Sequence, residues 1–142
     1  MHFLNQLDRT KIDTAVLSEV LPGLLQKSGY RQDLSVTFCG KSRIQTLNRK
    51  FRGQNQPTDI LSFASGDLVI APALAKLNAR KYHNTLTGEL LYLIIHGLCH
   101  LQGYDHADRQ TTARMRQAED KLLAYVQKKY NIHLTGRINA AA

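Results

Sequence analysis

The chain has 142 residues, 43% of them hydrophobic, with two cysteines and a formal charge of +8. That length buries a core without disulfide staples, so a cysteine-stapled mini-protein is excluded and one domain over 1–142 is expected. The longest apolar run, Leu90–Ile95, is far too short to span a membrane, and MHFLNQLDRTKID lacks a basic start followed by an apolar stretch, so no export is expected and a reducing, cytoplasmic location fits.

Residues 10–28, TKIDTAVLSEVLPGLLQKS, place Ile12, Val16, Val20 and Leu24 at helical spacing, and Pro22 with Gly23 is expected to kink or divide that helix. LSVTFC, 34–39, alternates like a strand. Residues 41–51 put Ile44, Leu47 and Phe51 on one stripe, and Gly53 is placed to end the helix in a left-handed cap. NQPTD, 55–59, reads as a turn feeding the strand ILSF, and GDLVIA, 66–71, follows closely enough to pair with it as a hairpin. Residues 73–82 read as a helix. From Thr87 to Gln102 the chain is apolar nearly all round, a buried central helix with Thr87 as its cap, Glu89 near its positive end and Gly103 as its stop. A last helix, 110–130, closes the domain. Short strands interleaved with helices imply an α+β or α/β domain and leave the strand order open.

Three of the six histidines fall in HGLCHLQGYDH, 96–106, at offsets of zero, four and ten. Residues i and i+4 share a helix face, so His96 and His100 converge; if Gly103 ends the helix, His106 can turn back to the same point. Three imidazoles around a divalent ion leave a fourth position for water, which is the layout of a catalytic rather than a structural site. A lone histidine on an apolar helix is usually a packed core residue, but three at ligand spacing are harder to explain so. Cys99 lies about 60° from His96 and about 100° from His100 on an ideal helix, which favours packing. Asp105 is either a turn residue or a group that orients a ligand or acts as a base. Glu89, seven residues before His96 on nearly the same face, either hydrogen-bonds near the site or serves the helix dipole.

The spacing also matches the zinc-protease pattern H-E-x-x-H-x-x-G-x-x-H. Those proteases need the glutamate beside the first histidine to polarise water, and Gly97 stands there instead. The metal geometry is kept without the protease chemistry, and this mid-helix glycine suits close approach by another backbone or by substrate.

Between Asp33 and Asp59 no acidic residue occurs, while Lys41, Arg43, Arg49, Lys50 and Arg52 all do. Most of these make an ordinary solvated helix face. Arg52 differs because it ends the helix beside Gly53, where a guanidinium fork can be aimed into a cleft at a phosphodiester. The net basic charge by itself indicates only attraction to polyanions.

FRGQNQPTDILSF (51–63), GDLVIA (66–71) and HGLCHLQGYDH (96–106) together resemble the successive signature segments of the YbeY family of metal-dependent endoribonucleases. The resemblance runs in order from about Leu34 to about Leu123, with Met115 and Glu119 in the expected closing helix. It implies one α+β domain, with a mixed, mostly parallel four-stranded sheet, about five helices, and the HGxxH motif on the central buried helix. It further implies that His96, His100 and His106 bind one catalytic ion, usually taken as Zn2+ with other divalent transition metals possible, and that Arg52 contacts substrate phosphate. The implied activity is single-strand-specific RNA cleavage in rRNA maturation, notably near the small-subunit 3′ end, and in ribosome quality control. Single-stranded RNA, rRNA precursors, the small subunit and assembly factors are the implied partners. Family members commonly carry a proline after LSF and a longer loop before GD, where this chain has only Ala64 and Ser65, so substrate preference is open. The tail GRINAAA, 136–142, matches none of the segments and is expected to be disordered or extraneous.

The expected function is therefore a metal-dependent endoribonuclease. No residue stands out as general base: Asp105, a second metal-bound water and a 2′-hydroxyl nucleophile all remain open. The alternatives are a non-catalytic ribosome-assembly or RNA-binding factor with a structural metal, and a metallohydrolase on other substrates.

Overall fold

In the strand SVTFC the period-2 pattern turns Val36 and Phe38 to one face and Cys39 to the other, and DLVI does the same with Leu68 and Ile70 against Val69. The computed structural model describes residues 2–6, 11–105 and 107–134. The expected tail at 136–142 lies outside the described residues.

In chain order the elements are β1 (His2–Gln6), α1 (Thr14–Ser28), β2 (Ser35–Cys39), α2 (Lys41–Arg52), β3 (Ile60–Phe63), β4 (Asp67–Ile70), α3 (Pro72–Lys81), α4 (Leu86–Leu101) and α5 (Arg109–Tyr130). The sheet order is β1-β2-β4-β3. β1 and β4 run parallel to β2, while β3 closes one edge antiparallel to β4. This is an α+β domain with two hydrophobic clusters. The larger packs α1, α4 and α5 on the face of Val36, Phe38, Leu68 and Ile70; the smaller joins Cys39, Ile44, Leu61, Val69 and Ala71, with Leu47, Phe63 and Leu74 against it.

The apolar run of α4 is buried as its composition demands: Leu90 to Ile95 and Gly97 to Cys99 are all enclosed. Its cap is Thr85 rather than Thr87, because the Thr85 hydroxyl accepts from the Gly88 N–H at 3.0 Å and the helix begins at Leu86. α1 is likewise corrected. It runs unbroken through Pro22, because Leu17, Val20, Leu21 and Leu24 bury completely or nearly so. Each such side chain contributes about 1.5–3 kcal/mol, together more than the roughly 3 kcal/mol cost of an interior proline. Phe51 also departs from expectation. Ile44 and Leu47 turn inward, but Phe51 is 57% exposed, its ring meeting edge-to-face that of Phe63, which packs on the smaller cluster.

Two hydrogen-bonded turns fix β3 relative to its neighbours. The buried Asn48 side chain donates to the Gln56 carbonyl at 2.8 Å, tying the NQPTD turn to α2. Asp59 accepts from the Ala71 N–H through its carbonyl and from Asn78 through its carboxylate, both at 2.9 Å, which locks the start of β3 to α3.

Candidate active site

α4 carries His96 and His100 one turn apart on one face, where both are half-buried. Their Nε2 atoms approach to 3.2 Å, with the rings nearly perpendicular at 84°. The other nitrogen of His96, Nδ1, lies 3.0 Å from Glu119 Oε1 of α5. A carboxylate accepts, so Nδ1 carries a proton, and Nε2 is the nitrogen that faces His100. The Tyr92 hydroxyl, one turn earlier on α4, donates to Glu119 Oε2 at 3.4 Å, and its ring stacks on His96 at 6.1 Å.

Burial, and then the charge of Glu119, pushes the Tyr92 hydroxyl well above its ordinary range, so it remains a donor. The same two causes push the Cys99 thiol up to about 12. Fully enclosed and protonated, Cys99 packs, as the helix geometry suggests. Two converging imidazole nitrogens, one oriented from behind by a buried carboxylate, have the donor chemistry of a divalent-metal site. Among the described residues no group of three or more metal-ligating side chains is complete, and the third expected ligand, His106, lies outside them.

The opposite wall is built by α2 and β3. α2 ends at Arg52, and Gly53 takes the left-handed conformation with φ 70° while its N–H closes on Arg49 O and Asn48 O. The Gly66 N–H donates to Phe63 O and the Ala71 N–H to Asp59 O, so alternation turns the Ser62 carbonyl outward from the edge of β3. Arg52 Nη2 donates to that carbonyl at 2.9 Å. An open cleft of about 330 Å³ results, lined by Arg52, Ser62, Ala64, His100 and Leu101. Arg52 and His100, 48 positions apart in sequence, thus share one depression.

Gly97 is what lets α4 sit so close to this wall. A Cβ there would meet Leu68 Cδ2 at 2.8 Å and both Ile60 Cδ1 and Ser62 Oγ at 3.1 Å. The residue that replaces the protease glutamate is therefore a point of helix-to-sheet contact.

Asp105 is exposed and its carboxylate accepts from the Ala107 N–H at 2.8 Å, as a turn residue does. It lines a separate cleft of about 240 Å³ with Tyr104, Thr111 and Arg114. Glu89 is fully buried in the first turn of α4, with Asn84 Nδ2 at 3.3 Å, and lies about 10 Å along the helix from His96. Lys41, Arg43, Arg49 and Lys50 are exposed around α2.

The role of Glu119 is not anticipated from sequence. Its signal is a carboxylate in the apolar stripe Met115, Glu119, Leu122, Val126, where an unpartnered charge is not tolerated. Tyr92 leaves no comparable signal within an apolar helix.

The family model described as endoribonuclease YbeY matches residues 3–127. A protein called endoribonuclease YbeY from Thermotoga neapolitana is 35% identical over 120 residues, covering 81% of this chain and 79% of that protein. One of the same name from Carboxydothermus hydrogenoformans is 31% identical over 132 residues, covering 84% and 92%. The solution structure of a Thermotoga maritima protein superposes with a TM-score of 0.67 at 29% identity, over 92% of each chain. With family segments, fold and site in the same order along the chain, it belongs to the endoribonuclease YbeY family.

Proposed function

We propose that this chain is a metal-dependent endoribonuclease that cuts single-stranded RNA, acting in rRNA maturation near the small-subunit 3′ end and in ribosome quality control. The observation that carries this reading is the single cleft into which both Arg52 and His100 open. A phosphate bound there meets a guanidinium and an imidazole at once. Cytoplasmic rRNA precursors, the small subunit and its assembly factors are the partners of this reading. Among the described residues no helix is long and apolar enough to cross a membrane.

His96, His100 and His106 would hold the ion, Zn2+ or another divalent transition metal, which when bound supplies Lewis acidity for phosphodiester cleavage. The rest of the work belongs to the chain. Glu119 holds the proton of His96 at Nδ1 and fixes the ring against rotation. Tyr92 donates to the second oxygen of that carboxylate and limits its swing. Arg52 binds the phosphodiester with two parallel N–H donors and offsets the charge that builds on it. Its bond to the Ser62 carbonyl pre-aims the guanidinium, leaving further N–H groups for substrate.

The test is cleavage of end-labelled single-stranded and duplex RNA by metal-analysed protein beside Arg52→Ala and His100→Ala. Loss of an electrostatic donor of this kind typically lowers turnover by about 10²–10³. The expected outcome is single-strand cleavage by the unaltered protein, lost in both folded variants, with reduced metal only in His100→Ala. Cleavage equal in all three would assign it to a contaminating nuclease and overturn the reading.

A further inference from the structure

Phe51 is the unspent apolar residue of α2. The residue is 57% exposed, while the other stripe residues of the helix, Ile44 and Leu47, turn inward. More than half exposed, Phe51 forgoes much of the burial that an apolar stripe offers, so the core makes little use of it. The ring is nevertheless held. Phe63 of β3 meets it edge-to-face, centroids 5.4 Å apart at 81°, and Phe63 itself packs on the smaller cluster. The β3–β4 connection consists only of Ala64, Ser65 and Gly66, too few residues to arch over the ring.

Cations flank it in sequence, and Lys50 lies against the ring. Lys50 Nζ lies 5.4 Å from the Phe51 ring centroid, and Arg52 follows directly. Ser62 and Ala64, the two neighbours of Phe63, line the Arg52–His100 cleft. Alternation turns Phe63 to the α2 face of β3 and Ser62 to the α4 face, so the aromatic pair and the cleft lie on either side of this edge strand, and Arg52, bonded to the Ser62 carbonyl at its edge, joins them. An exposed ring held by a second aromatic and neighboured by Lys50 and Arg52 combines the features with which proteins hold unpaired bases: a π-face for the base and positive charge for the backbone.

We propose that Phe51 is a stacking platform for one unpaired RNA base, set at the mouth of the cleft so that the adjoining phosphate reaches Arg52. It rests on the reading of the cleft as an RNA site and adds a basis for single-strand preference. Bases in a duplex are stacked on one another and offer no free face to the ring. When a base takes the ring, the Lys50 ammonium is displaced towards the backbone, where a phosphate replaces the cation–π contact.

The experiment uses the full chain and a short hydrolysis-resistant phosphorothioate RNA, with binding followed by fluorescence anisotropy and cleavage assayed separately on unmodified RNA of the same sequence. Phe51→Ala is expected to weaken single-strand binding about ten-fold, the loss of one base–aromatic stack, and to leave duplex binding unchanged. Phe51→Trp should restore it. Removing one base from the RNA should weaken the unaltered protein comparably at one position and leave Phe51→Ala indifferent there. Equal single-strand binding by Phe51→Ala, or equal losses for both proteins at every abasic position, would overturn the platform even if cleavage persists. Base-dependent binding without cleavage would instead sustain the platform and overturn the nuclease reading.

Discussion

The two walls of the cleft are built on opposite plans. The histidine wall is a helix enclosed nearly all round, with ring orientation fixed by a buried carboxylate that a second buried side chain steadies. The arginine wall is the exposed end of an amphipathic helix, where Arg52 is aimed by a glycine cap and one hydrogen bond to an edge-strand carbonyl. On the proposed reading the histidines must present lone pairs in one geometry, and the interior supplies a buried carboxylate that holds the His96 ring by its Nδ1. A phosphodiester on a flexible strand arrives in many orientations. A solvated guanidinium with one anchoring bond accommodates them while remaining charged.

If that contrast is real, damage to the histidine wall should cost metal, and damage to the arginine wall should cost RNA. The largest effect of this kind is expected for Glu119→Gln. The amide oxygen still accepts from His96 Nδ1, but the negative charge that raises ligand basicity is gone, and metal affinity should fall about 10–100-fold. Competitive chelation followed by elemental analysis measures it; unchanged affinity would break the assignment of Glu119 as a positioning residue. RNA binding by metal-loaded Glu119→Gln should be unchanged. Gly97→Ala comes next, because it presses the two walls apart. The added methyl would meet the enclosed Leu68 Cδ2 at 2.8 Å and Ile60 Cδ1 and Ser62 Oγ at 3.1 Å, so overpacking of up to about 3 kcal/mol is set against a helix gain of roughly 1 kcal/mol over glycine. A lower urea midpoint with unchanged slope is expected, and a raised midpoint would show that α4 has room to spare.

The same contrast governs what was legible in the sequence. The histidine spacing, the apolar run of α4 and the Gly53 stop are local signals, and the elements carrying them appear where those signals fall. Elements whose stability comes from distant partners were harder to read. β1 is five residues without an alternating pattern, HFLNQ, held by parallel pairing with β2, more than thirty positions away in the register. Pro22 with Gly23 argues for a kink or a division, and core packing overrides the division; Phe51 argues for burial with Ile44 and Leu47, yet it is more than half exposed. Of the site, His96, His100 and Arg52 could be nominated individually, but their meeting depends on β3 lying at the sheet edge beside α4. Glu119 was visible only as a charge on an apolar stripe, because its reason for being there sits on another helix.

The smallest effect sharpens the arginine wall. Gly53 sits at φ 70° with nothing within 4 Å of where a Cβ would stand, so a side chain there meets no steric obstacle beyond its own backbone. Alanine in the left-handed region costs about 1–2 kcal/mol, and asparagine, which tolerates that region, costs less. The helix end can escape the cost by unwinding its last turn, and Arg52 is the residue that would move. Single-strand RNA affinity should therefore fall in the order glycine, asparagine, alanine at position 53, while metal content stays constant across the series. Were alanine and asparagine to lose equally, side-chain bulk rather than backbone handedness would be aiming Arg52. Were metal content to fall with them, the two walls would not be independently built, since a change at the end of α2 would have reached His96 and His100 through the sheet that both helices contact.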